Sequence, residues 1–290
     1  MSTQITTAFV EQYYANVTML SQQMGSKLRK AVDVESIRGK NAFFDQIGST
    51  SASVRSSRHG NTPQINTPHS RRRVSLADYE WADLVDDQDK IRMLIDPTSS
   101  YAKAAAAAMG RSMDDVIIAA MNADAATGVA GGTTTALPSS QKTSTAQQTD
   151  GLTIAKLLQA KFILDNNDVD PSLKRYFVCG PKQIQDLLNT TEVKSSDFNT
   201  VKALAQGDLN TFLGFEFIMS TRLPLDATNT DDRLCFGFTE DAIKLAIGKD
   251  VSARIDERAD KSYATQVYYC MSIGATRMNE TGVVQVPCDE

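Results

Sequence analysis

Histidine, tryptophan and cysteine are scarce in this chain, with two, one and four copies among 290 residues. Both histidines, His59 and His69, fall in a polar stretch with no fixed partner to orient an imidazole, so neither reads as a general base. The cysteines Cys179, Cys235, Cys270 and Cys288 are widely separated, with no C-x-x-C pair and no nearby histidine. That excludes a zinc site read from spacing and leaves buried, reduced thiols as the expectation. Serine nucleophile motifs and phosphate-cradling glycine loops are missing too. Gly128 and the glycines after it carry neither the lysine nor the preceding strand that such a loop needs. The acidic run from Asp165 to Asp170 fails as a calcium loop, because Asp170 stands where glycine is required and Tyr176 where a glutamate should close the site. A capped turn is expected there. No stretch approaches the roughly 18 apolar residues that span a bilayer, and the first residues lack a basic segment followed by an apolar run. The chain is therefore expected to be soluble, without a membrane partner, made in a reducing cytoplasm, and to have no catalytic residue, cofactor or metal.

What is present is ordinary in amount and unusual in order. Apolar residues make up 41% and charged residues 22%, with a formal net charge of −5, which suits one large or two modest globular domains. That balance argues against nucleic-acid binding by the whole surface. The charges, however, are sorted along the chain. Arg55, Arg58, Arg71, Arg72 and Arg73 come with no acid among them, and then Asp78, Glu80, Asp83, Asp86, Asp87 and Asp89 come with no base. The basic block is poor in large apolar residues and rich in Ser, Gly, Asn and Pro, so it cannot bury a core of its own. It reads as a long extended loop, costly to order unless laid on another surface. The acid-rich segment of a neighbouring copy is one such surface. A solvated loop and a local nucleic-acid contact at Arg71, Arg72 and Arg73 are the other readings.

Hydrophobic spacing supplies the elements. Phe9, Tyr13, Val17, Leu20, Met24 and Leu28 predict a helix within residues 8–38. Residues 74–85 read as strand or short helix, and periodicity does not decide. Asp96 and Pro97 open the clearest element, a long Ala-rich helix over 97–127 whose buried face includes Tyr101, Ala105, Met109, Val116 and Met121. Lys103, Arg111, Asp114 and Asp115 mark its wet side, and Gly128 stops it. Residues 128–151 are polar loop with at most edge-strand character. A second amphipathic helix carries Ile154, Leu157, Leu158, Phe162 and Ile163. Strands are expected at 175–179, 214–220, 233–238, 242–247, 252–255, 264–275 and 282–286, with helices at 180–188 and 201–205.

In this order of parts the chain resembles the major capsid proteins of tailed bacteriophages, which share the Hong Kong 97 fold. Residues 96–128, from Asp96 through the alanine run to Gly128, look like the spine helix of the podovirus-like members, and residues 257–278 like their closing peripheral strand. The resemblance implies an α+β fold with an N-terminal arm at 1–44 and an extended loop at 45–80. It implies a peripheral domain at 81–149 and 246–290, including the spine helix at 97–127, and an axial domain at 150–245. It further implies a homo-oligomer of hexamers and pentamers that forms the icosahedral head, encloses double-stranded DNA without reading its sequence, and resides in the virion after assembly in the host cytoplasm. With only about 95 residues before the spine, a separate scaffolding protein is expected, together with a portal and a decoration or cement protein. The sequence offers no signature for the lysine–asparagine cross-link of the namesake phage. On this reading Arg55, Arg58, Arg71, Arg72, Arg73 and the six acids from Asp78 to Asp89 are inter-subunit contacts. The competing class is an α/β enzyme with a mobile Arg-rich loop, acting on a phosphorylated or acidic small molecule held by the 165–190 region.

Overall fold

A computed structural model describes residues 22–55, 57–62, 64–86, 98–143, 151–189, 211–227 and 231–290. In chain order the strands are β1 (Asp33–Ser36), β2 (Asn41–Ile47), β3 (His69–Ser75), β4 (Ala77–Val85), β5 (Ala125–Thr127), β6 (Thr133–Thr135), β7 (Arg175–Cys179), β8 (Thr211–Phe212), β9 (Phe215–Met219), β10 (Asp232–Thr239), β11 (Ile243–Arg258), β12 (Ala264–Arg277) and β13 (Val283–Asp289). The helices are α1 (Thr98–Asn122), α2 (Ile154–Asn166) and α3 (Pro181–Asn189).

The long helix and the long hairpin define one another. Ala105, Met109, Met113, Ile117 and Met121 recur every four residues along α1 and are all buried. They lie against the sheet of order β1-β11-β12-β4. In β4, Tyr79 and Trp81 pack on the core while Asp78, Glu80, Ala82 and Leu84 face out. Period-two burial marks 77–85 as strand, while Val74 and Ser75 end β3 in a different sheet. β11 is a single 16-residue strand where two were expected. Its distal half is largely exposed, whereas the β12 residues it pairs with are buried or half-buried.

A second sheet has the order β13-β10-β7-β9-β8. Every residue of β7 is buried, as befits a central strand. Phe177 meets Phe215 and Phe217 with ring centroids 5.8 and 5.4 Å apart. Met113 and Ile117 of α1, Met271 and Ile273 of β12, and Phe177 and Phe236 of this sheet belong to one continuous core. The last strand does not stay with the long hairpin. β13 pairs antiparallel with β10 over seven positions, which puts 283–289 in the sheet built from the 150–245 segment and not beside β11 or β12.

The third sheet, β2-β3-β5-β6, carries the basic segment. Its base has a small core of Ile37, Phe44, Val74 and Ala246.

Several sequence expectations are corrected. Of the 8–38 segment, residues 8–21 lie outside the described residues, and 22–32 run as turns into β1 rather than as helix. Gly25 takes φ +78, and the amides of Lys27 and Leu28 are held by the Asp114 carboxylate at 3.1 Å each, so they are not spent on helical bonds. Asp114 is accordingly not on a wet face; it is fully buried. The long helix is 25 residues, about 37 Å at ~1.5 Å per residue. It ends before Gly128 because Arg277 takes the carbonyls of Met121 and Ala123, and the chain turns into β5. In α2 the inward residues are Lys156, Leu157, Ala160 and Leu164, while Leu158 and Phe162 are exposed. The expected helix at 201–205 lies outside the described residues. The turn after α2 is capped as expected: the Asp170 carboxylate accepts from the Ser172 amide at 2.8 Å.

Candidate assembly surface

Between β2 and β3 the chain runs out and back. Every described residue from 48 to 70 is exposed except Thr67, which is half-buried; Val54 is 95% exposed. The loop closes at its root where the Gly48 amide donates to the Pro68 carbonyl at 2.9 Å. A segment that buries so little within its own chain keeps its ordering cost uncompensated there.

Below the loop the hairpin is fixed firmly. Arg72 is buried, and its Nη2 lies 2.7 Å from both carboxylate oxygens of Glu280, in the turn between β12 and β13. Its Nε donates to the Met278 carbonyl, as does the Gln46 side chain. Arg277, fully buried, lies 3.7 Å from the same carboxylate and donates to the carbonyls of Met121, Ala123 and Thr135 at 2.9–3.0 Å. Glu280 therefore sits between two guanidinium groups and ties the loop base to the end of α1. Burial pulls the Arg277 pKa down from its ordinary value, while the Glu280 charge opposes the shift.

The other expected contact residues are dispersed. Arg71 pairs with Asp45 at 2.5 Å across the β2–β3 ladder and lies over the Phe43 ring at 5.5 Å. Arg73 crosses the Gly131 backbone, where an added Cβ would come 2.6 Å from its Cδ. Arg55 donates to the carbonyls of Ser57 and Arg58, inside the loop. Asp78 and Glu80 face outward on β4, and Glu80 accepts from the Tyr268 hydroxyl at 3.0 Å. Asp83 lies on the opposite face and caps the Leu84 amide, and Asp86 follows the strand. Asp87 and Asp89 lie outside the described residues. Among the described residues the ion pairs of Arg71 and Arg72 go to Asp45 and Glu280, not to the acidic run. Sequence reading missed Asp45, Glu280 and Arg277. Arg277 and Glu280 lie three residues apart, but their other partners and that of Asp45 are 26 to 208 residues away, so local pattern does not mark them.

The region assigned to a phosphate-ester pocket in the enzyme reading contains a cavity lined by Lys161, Asp165, Asp168, Arg175 and Leu213 among others. Its arginine is engaged, with Arg175 Nη1 2.6 Å from Asp165 Oδ1 and Nη2 donating to the Val169 carbonyl.

Surface carboxylates give the chain a defined acid response. Hydrogen bonds from Arg71, Arg29 and Arg258 hold Asp45, Asp250 and Asp260 below the ordinary carboxylate value, Asp260 at about 2. Folded pKa values below the unfolded ones mean that this stabilisation is present above about pH 4 and fades as pH falls through the lowered values. The expected melting temperature is flat from pH 7 to about 4 and then declines gradually toward pH 2, because exposed pairs contribute little each. A rise in melting temperature over that lower range would contradict it.

Three comparisons bear on what this arrangement is for. A family model described as phage capsid protein matches residues 5–290. Comparison with curated protein sequences returns no match. Among solved structures, the capsid of cyanophage P-SCSP1u is similar at a TM-score of 0.76 and 16% identity, covering 99% of this chain and 94% of that one. The head of Helicobacter pylori bacteriophage KHP40 follows at 0.74 and 10%, covering 97% and 96%. The capsid of Helicobacter pylori bacteriophage KHP30 reaches 0.73 and 11%, covering 100% and 98%.

Proposed function

The chain belongs to the phage capsid protein family, and from that premise we propose that it polymerises into hexamers and pentamers of an icosahedral head enclosing double-stranded DNA. It is a structural protein of the virion with a Hong Kong 97-type capsid fold, not an enzyme. The observation that carries the assembly reading is the exposed 48–68 loop on a rigidly fixed base, a segment that gains burial only on another copy. Residues 81–149 and 246–282 act as a peripheral lobe, and 150–245 with 283–289 as an axial lobe. Arg55, Arg58, Arg73 and the outward acids Asp78 and Glu80 remain available for contacts between copies. Individual exposed pairs contribute only ~0–1 kcal/mol, so many weak contacts hold the shell and allow wrongly placed subunits to leave. A separate scaffolding protein guides assembly in the host cytoplasm, and portal and decoration proteins complete the head.

The test is direct. Expressed protein supplied with its scaffold should appear as megadalton particles in size exclusion and electron microscopy; a chain that stays monomeric at every concentration would refute the proposal. For the loop, Arg55→Glu with Arg58→Glu is expected to reduce particle yield and salt resistance while leaving the subunit's melting temperature unchanged. Normal yield would remove these two arginines from the contact. Reversing Arg71, Arg72 and Arg73 together is less informative, because Arg71 and Arg72 hold their own chain together.

A further inference from the structure

Most buried ionisable groups of this fold have a partner. Arg72 and Arg277 meet Glu280, Asp114 accepts from the Lys27 and Leu28 amides, and Lys156 Nζ donates to the Pro287 carbonyl at 3.1 Å. Cys179, Cys235 and Cys288 are fully buried, and burial pushes the Cys179 thiol up to about 12, which keeps it neutral. At the register shift of β11, Lys249 Nζ reaches 3.0 Å from Sγ of the half-buried Cys270. Asp232, at the start of β10, is different. It is fully buried, and among the described residues it is the acid whose two carboxylate oxygens are both enclosed without a hydrogen-bond partner. A carboxylate in that state is costly, because neither water nor a protein group replaces its hydration.

The surroundings add negative charge. Asp232 stands directly opposite Asp289 of β13. In an antiparallel pair the two side chains leave the sheet on the same face, with Cβ atoms about 4.5–5.5 Å apart. Asp289 is half-buried, which leaves that side open to water. The Asp226 amide donates to the Asp232 carbonyl at 2.8 Å and the Glu290 amide to the Asp231 carbonyl at 2.9 Å, which gathers these acids at one end of the sheet. The base next in sequence, Arg233, points to the other face by strand alternation and is engaged by Glu290 at 2.5 Å.

We propose that Asp232 and Asp289 form a calcium site that locks the carboxyl-terminal strand β13 to β10. The ion supplies the positive charge that the buried carboxylate lacks and removes the repulsion between the two acids. Calcium takes oxygen ligands at about 2.3–2.6 Å in irregular geometry, whereas magnesium demands a near-ideal octahedron and loses its water reluctantly. A cross-strand carboxylate pair open to solvent on one side suits calcium. The described residues bring no third acid or histidine to the same point, so water completes the shell. Asp226, Asp231 and Glu290 raise the local cation concentration without ligating. Because the two ligands lie on different strands, the ion binds the folded chain and not the unfolded one.

The experiment uses the full-length subunit, stripped of metal with a chelator and melted at constant ionic strength with calcium chloride, magnesium chloride or neither. With a Kd on the order of 0.5 mM, as in loosely built oxygen sites, about 5 mM calcium multiplies the folded-to-unfolded ratio roughly tenfold and raises Tm by about 3–5 °C. Magnesium at the same concentration should give a much smaller rise. Asp232→Asn should abolish the calcium response, and in chelator its Tm should equal or exceed the original, since the substitution removes a buried charge that has no donor. Asp289→Asn should need about tenfold more calcium for the same rise, because one charged ligand is lost. Glu257→Gln, which alters an exposed acid on the long hairpin, should respond as the original does. No calcium-dependent rise, an equal rise with magnesium, a rise that survives Asp232→Asn, or a lower Tm of Asp232→Asn in chelator would overturn the proposal.

Discussion

Replacing Arg277 with Met is expected to destabilise the folded subunit by about 3–5 kcal/mol, the usual cost of removing one member of a buried charged network. The side chain is fully buried, and its guanidinium serves three carbonyls from two separate parts of the chain: Met121 and Ala123 at the end of α1, and Thr135 in β6. The last carbonyls of a helix have no partner within it, and a cation there also complements the helix dipole. Methionine fills much of the volume but leaves those acceptors dry, at ~1–3 kcal/mol for each buried unsatisfied group, softened where water enters. Glu280 keeps Arg72, so the loss stays below the sum of the parts. Urea unfolding of the unassembled subunit should show a lower midpoint with an unchanged slope. Arg277→Lys should recover little, since one ammonium cannot span the three acceptors of a planar fork. A midpoint within ~0.5 kcal/mol of the original would show that the carbonyls are satisfied without the guanidinium.

Gly110→Ala carries the second large effect, and its sign is decided by two opposed magnitudes. Alanine in a helix interior is favoured over glycine by about 1 kcal/mol. Here the added Cβ would lie 2.3 Å from the carbonyl carbon of Gly25 and 2.7 Å from the amide nitrogen of Ser26, backbone atoms that cannot rotate away. Overpacking of this kind costs ~1–3 kcal/mol. Moving the segment aside also stretches the bonds that Asp114 accepts from the Lys27 and Leu28 amides and the Ser26 hydroxyl. Bonds to a charged group contribute ~1.5–3 kcal/mol each, so the helix gain loses. The expected result is net destabilisation of about 2 kcal/mol and faster proteolytic cleavage within residues 22–30. Asp114→Asn, which cannot accept at both positions that donors occupy, should expose the same segment. Protection equal to the original in both variants would mean that the segment is held by the burial of Leu28 alone.

Legibility followed the range of each interaction. The long helix was readable because its buried residues recur with a local period, and β7 and the strands at the carboxyl end because their apolar runs are continuous and local. The boundaries failed where a distant group intervened. α1 stops at Asn122, where Arg277, 155 residues later, takes the carbonyls at its end, and residues 22–28 abandon helical spacing where Asp114 takes the amides of Lys27 and Leu28. Leu158 and Phe162 fitted a helical face and proved exposed, since spacing cannot tell which side a neighbour covers. The candidate contacts divided in the same way. Their charge order was visible, yet two of the basic residues are engaged within their own chain by Asp45 and Glu280.

By itself the sequence determined the class of the protein: a chain without catalytic spacing, with one long helix, and with a basic loop that no apolar residue could fold on its own. Those properties are sums over neighbouring residues, and composition and period report them directly. Only the tertiary structure decided which charges are engaged within their own chain, and which cysteine lies beside a lysine. A buried guanidinium must satisfy its donors wherever the fold brings acceptors, and a bulge redirects a side chain by one residue, so both outcomes depend on strand register and not on local pattern.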